Sequence, residues 1–137
     1  MKKRLVRVAI VYGVVWPACL AFYWGSLATG ALGGGGIMGH VILTLHIALP
    51  IAGVVAAFLI GRATELGRRR LAAPIAIAVL YVLHAAATFN LSNALGFTNI
   101  ASANLAVFMY GLVPAAIGLA VGCAASLTAI TSGKSED

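Results

Sequence analysis

The chain has 137 residues, of which 62% are hydrophobic and only 9% charged, with a net charge of +6. A soluble domain carries about 25% charged and about 45–50% apolar residues, and a mean hydropathy of +1.05 leaves too little polar surface to face water. This composition argues against a soluble enzyme, a nucleic-acid binder and a disordered tail, and in favour of a membrane protein.

A membrane-crossing helix needs about 20 apolar residues, because the hydrocarbon core is about 30 Å thick and a helix rises about 1.5 Å per residue. Residues 8–25, 37–60, 71–88 and 103–130 are predicted to meet that requirement. The expected fold is therefore an all-α bundle of four transmembrane helices forming one membrane domain, with short links favouring antiparallel neighbours. Spanning strands would alternate in polarity over about ten residues, whereas these segments are continuously apolar.

The basic residues give the bundle a direction. Lys2, Lys3, Arg4 and Arg7 precede the first span, Arg62, Arg68, Arg69 and Arg70 lie between the second and third, and Lys134 follows the fourth. All nine fall on one side, and the two opposite links carry no charge. This is a positive-inside distribution. Both termini are expected in the cytoplasm, in the cell membrane, or the inner membrane of a bacterium. The charge then reads as attraction to anionic headgroups and not as a nucleic-acid footprint.

Lys2 to Arg4, the apolar run behind them and the small residues Ser26 and Ala28 also fit a cleavable signal peptide. The run is long for that purpose, and Phe22, Tyr23 and Trp24 suit the outer interface of a retained helix. Gly33 to Gly36, in the first link, lack the lysine and hydroxyl residue of a phosphate loop and read as a flexible linker. Tyr12 to Ala18 resemble Tyr110 to Ala115 if one residue is skipped. So short a match is no evidence of an internal repeat.

The second and third spans hold the histidines, and ionisable residues within a span are functional candidates because exposing them to lipid is costly. His40 lies near the outer end of the second span and His46 nine residues in, roughly 13 Å deep. His84 lies four residues from the outer end of the third span, roughly 6 Å deep, or about 10 Å if that span reaches Leu91. Three- and four-residue spacing groups Gly39, Ile42, His46, Pro50 and Gly53 on one face, and Ile77, Tyr81, His84 and Thr88 on another. His46 and His84 are thus the candidate cofactor-binding pair. Two neutral imidazoles can ligate haem iron, bind copper or zinc, or hydrogen-bond a quinone. The plainer expectation is interhelical hydrogen bonding, between His46 and Tyr81 or between His84 and Thr44, with no cofactor.

No carboxylate falls within a span; the acids are Glu65, Glu136 and Asp137. Proton-coupled antiport and carboxylate catalysis therefore lack their usual groups, and Glu65, between Arg62 and Arg68, reads as a surface ion-pair member. Each span has one proline. Pro74 falls in a first turn, while Pro17, Pro50 and Pro114 are interior and expected to kink their helices. Link residues 90–102 are predicted to form an ordinary polar loop, with a formal glycosylation acceptor at Asn90-Leu91-Ser92. Cys19 and Cys123 sit at different depths, so no bridge between them is expected.

The fourth span carries a small-residue ridge, Gly118, Gly122 and Ser126, with Gly111 and Ala115 on a neighbouring row. Such ridges mark helix interfaces in lipid, here within the bundle or against a partner. The extramembrane mass is too small for a separate catalytic domain. The expected role is therefore an accessory subunit, assembly factor or immunity-type protein acting through helix contacts. Its partners would be membrane lipids and other membrane subunits or further copies of itself. Two alternatives stay open: a respiratory-type anchor holding haem b or quinone through His46 and His84, and a small oligomeric transporter or channel.

Overall fold

Four helical stretches are long and apolar enough to cross a membrane: Val6–Ala28, Gly36–Gly61, Thr64–Ala94 and Leu105–Thr128. The computed structural model describes residues 2–31, 33, 36–99 and 104–132. The predicted start of the fourth span at residue 103, and Lys134, Glu136 and Asp137, lie outside the described residues.

Helix α1 (Lys2–Ala28) continues through Pro17. A proline there cannot donate to the carbonyl four residues back, at Gly13. The second span begins as α2 (Gly36–Val41), widens into a π-helical segment at Ile42–Ala48 and resumes as α3 (Leu49–Gly61). Pro50, in the first turn of α3, accounts for the widening. An α-helical path would drive its ring against the His46 carbonyl, and the i→i+5 pattern relieves that clash. What was expected as an interior kink is therefore a π segment.

Arg70 folds back over the end of α3, its Nη1 donating to the Gly61 carbonyl at 2.9 Å. A cation there satisfies a carbonyl that has no partner within the helix and complements the helix dipole. The link itself runs in 3₁₀ turns over Thr64–Ala72, turned at Gly67 with φ +53°.

The third span continues as α4 (Ala73–Ala85), with Pro74 in its first turn, then a second π segment at Ala86–Asn90 and α5 (Leu91–Ala94). The helix thus runs past Thr88, and residues 90–94 are not the loop expected from their polarity. Thr88 Oγ1 donates to its own helix at His84 O, 2.9 Å away. Such back-bonding lets a polar side chain remain inside a span. The stretch ends at Gly96, φ +76°, where the Phe97 N–H bonds to Ser92 O at 2.9 Å, a glycine-terminated helix end. Asn104 caps α6 (Leu105–Ser132), its Oδ1 accepting from the N–H groups of Ala106 and Val107 at 3.0 and 3.3 Å.

The closest packing joins α6 to α3. A methyl group on Gly118 would collide with the Val54 carbonyl, and one on Gly122 with the Phe58 carbonyl. One on Gly61 would lie 2.6 Å from the Leu119 carbonyl oxygen. Backbones this close are held by van der Waals contact that only glycine permits. Gly111 meets α4 in the same way, 2.8 Å separating a methyl there from Tyr81 Cβ. Ser126 is buried and donates to Cys123 O at 2.7 Å. Cys19 and Cys123 are free thiols.

The core has two halves. Toward the basic end it consists mainly of small residues, Ala52, Ala56, Ala57 and Ala115, with Tyr12, Ile77 and Leu119. Toward the uncharged end it is aromatic and larger, built on Tyr23, Tyr81, Phe89, Leu45 and Leu49. Helix α1 is the outermost element, with 12% of its most apolar stretch buried against 44% for the third span. Two indoles fasten it. Trp16 Nε1 donates to Leu80 O at 2.9 Å and Trp24 Nε1 to Ala87 O at 3.1 Å, so α1 and the third span run in the same sense.

Candidate functional site

The π segment decides which histidines point inward. The buried positions Leu49, Leu45 with Thr44, and His40 recur every four to five residues, wider than the 3.6 of an α-helix. His40 is 4% exposed, while His46 lies on the outside with Gly39 and Ile42. The expected face that grouped His46 with Gly53 is therefore corrected by about one residue of phase. His46 Nδ1 approaches its own helix at Val41 O, 3.3 Å away, and its ring sits edge-on to Tyr110 at 5.3 Å.

His84, on α4, is 1% exposed, and its expected neighbours Ile77, Tyr81 and Thr88 are buried with it. Its ring meets the edge of Trp16 at 5.4 Å. His40 stacks on Phe22 at 5.4 Å and lies 5.0 Å from Tyr23. His46 and His84 meet different rings, Tyr110 and Trp16. Tyr23 and Trp16 are seven residues apart on α1, about 10 Å along the helix. The imidazoles of His40 and His84 are therefore staggered along the bundle and do not oppose each other.

Neither ring nitrogen of His40 or of His84 has a hydrogen-bond partner. A neutral imidazole has one donor and one acceptor, and leaving a buried polar group unsatisfied costs about 1–3 kcal/mol. The tyrosine and threonine expected to meet the histidines bond to backbone carbonyls of the second span. Tyr81 OH donates to the Leu45 carbonyl, one residue from His46. Thr44 Oγ1 donates to His40 O at 2.7 Å and not to His84.

Sequence reasoning also missed Ser92, read as part of a polar loop. It is fully buried and shares a hydrogen bond of 2.7 Å with Tyr23 OH and another of 2.6 Å with Thr98 Oγ1. This short network ties α1 to the turn after α5. It also shields the hydroxyl that a glycosylation acceptor would need exposed.

A second feature lies on the far side of α1. Ala18, Ala21, Gly25 and Ala28 are all exposed and spaced three, four and three residues apart, forming one ridge. A side chain on Gly25 would enter open space. The glycines of α6 face the opposite situation, their Cβ positions filled by α3 and α4.

No protein-family model, curated protein or solved structure matches this chain.

Proposed function

We propose that this chain is a multi-pass protein of the cell membrane, or of the inner membrane in a bacterium. It acts without catalysis of its own, as an accessory subunit, assembly factor or immunity-type protein. The observation that carries this reading is the exposed small-residue ridge of α1. In lipid, helices associate where small residues let backbones approach, and this ridge is unused within the bundle. The partner is a span of another subunit or of a second copy, with membrane lipids around both. Gly25→Leu should abolish co-purification of partner chains and self-association in mild detergent while leaving the melting temperature unchanged. Unchanged association by the variant overturns the reading.

The distribution of the basic residues supports a cytoplasmic position for both termini. Antiparallel sequence neighbours are supported by the core, where Tyr12 packs with Ala52 and Ala56 while Tyr23 packs with Leu45 and Leu49. Reporter fusions should read cytoplasmic at Gly67 and external at Asn99. An outward-facing Gly67 fusion overturns this orientation.

A second reading rests on the unpartnered nitrogens of His40 and His84. It makes the bundle a membrane anchor whose buried imidazoles each hydrogen-bond a quinone or supply a single ligand to a haem iron, with His40 as the second inward histidine in place of His46. Its test is the purified protein: a Soret band that shifts on reduction, or an extractable quinone, either one lost in His84→Leu. Protein from haem- and quinone-replete cells that is colourless and free of quinone overturns it.

A further inference from the structure

At the basic end, α1 and α4 splay apart and leave a groove of about 530 Å³, floored by Ala56 of α3. Its walls run from Val8 to Pro17 on α1 and from Ala73 to Leu80 on α4. The α1 wall covers ten residues, a rise of about 14 Å, close to the half-thickness of about 15 Å that one leaflet contributes to the hydrocarbon core. Its lining is almost wholly apolar, with Val8, Trp16, Ile77 and Leu80 among the walls. The groove suits a single flexible chain.

Charge sets the other end of the occupant. Arg7 adjoins Val8 at the mouth of one wall, and Arg68 and Arg69 stand in the link leading into Ala73, all three exposed. Arg70 is engaged on the Gly61 carbonyl. Glu65 is the one acid among the described residues, so the mouth is strongly cationic. Guanidinium groups bind phosphate through charge-assisted hydrogen bonds, and basic clusters between helices at the cytoplasmic face recognise anionic headgroups.

We propose that this groove is a lipid site, holding one acyl chain of an anionic phospholipid whose phosphate lies among Arg7, Arg68 and Arg69. The site is independent of the α1 ridge, so Gly25→Leu leaves it intact.

Native mass spectrometry of the full chain in detergent, offered equal phosphatidylglycerol and phosphatidylcholine, tests the proposal. The expected result is one retained phosphatidylglycerol per chain in clear preference to phosphatidylcholine. Arg7→Gln and Arg69→Gln should each lower the preference about fivefold, the effect of one arginine near a charged surface. Ala76→Phe fills the groove from an exposed position of its wall, and Gly13→Leu does so from a position with open space beside it. Both should abolish retention without changing the melting temperature in lipid-free detergent. Equal retention of the two lipids overturns the proposal, as does retention undiminished in both groove-filling variants. Equimolar recovery of a quinone or a peptide from the groove in place of phospholipid also overturns it.

Discussion

Gly122→Leu is expected to prevent the bundle from assembling, with Gly118→Leu close behind it. Both positions lie where α6 touches the α3 backbone, and the colliding atoms are the carbonyl groups of Phe58 and Val54. A backbone carbonyl cannot rotate away as the tip of a side chain can. The helices must therefore separate along the whole contact, losing the packing at Gly61 and Leu119 as well. Overpacking a tight core costs about 1–3 kcal/mol, and these sites belong at or above the top of that range. Leu127→Ala is the control, since Leu127 is 64% exposed and trimming it removes little buried surface. Size-exclusion profiles and thermal denaturation in detergent should show a large loss for the glycine variants and little change for Leu127→Ala. Equal stability of Gly122→Leu and Leu127→Ala contradicts the packing described for α6.

His84→Leu is expected to stabilise the ligand-free protein, by about 1 kcal/mol. The substitution removes a buried ring whose two nitrogens have no partner, and such groups carry an uncompensated desolvation cost of about 1–3 kcal/mol. Against that gain stands the edge contact with Trp16, worth about 0.5–1.5 kcal/mol for an aromatic pair, so the net change keeps its sign but not its full size. His40→Leu should behave similarly, the stacked Phe22 being its main loss. His46→Leu should change little, because His46 is exposed and its contacts are peripheral. A fall in melting temperature for His84→Leu in ligand-free protein contradicts the expectation. In protein still carrying a ligand on His84 the sign reverses, so the direction of the change also reports occupancy.

The four helices long and apolar enough to cross a membrane were legible because lipid imposes one demand on every crossing segment. The backbone must bond to itself, and the side chains facing out must be apolar. Hydropathy reads that demand directly, which is why the sequence-based spans and the helices agree to within a few residues at most ends. The exception is instructive. Residues 90–94 look like loop because Asn90, Ser92 and Asn93 are polar, but Ser92 is buried and bonded to Tyr23 and Thr98. Polarity predicts a loop only when the polar groups have no partner inside, and partners on another helix are invisible along the chain.

The histidines show the same limit. That ionisable side chains sit within the second and third spans follows from spacing and hydropathy alone. Which of them points inward depends on the phase of the second span, and Pro50 changes that phase by forcing a wider turn ahead of it. The proline was visible as a perturbation, yet a kink and a π segment orient the preceding side chains differently. Only the folded backbone distinguishes the two.

Composition and hydropathy determined that four segments are long and apolar enough to cross a membrane, and that the nine basic residues gather on one side of that pattern, because these are one-dimensional consequences of how lipid and water partition side chains. The tertiary structure decided the rest: that the α6 glycines are consumed against α3, that the α1 ridge is left open, that His40 and His84 are the buried histidines, and that α1 and α4 part to form a groove. Each is a relation between segments far apart in the chain. Such relations are set by how surfaces pack at close range and by the phase at which each helix presents its side chains, and neither is carried by any single segment.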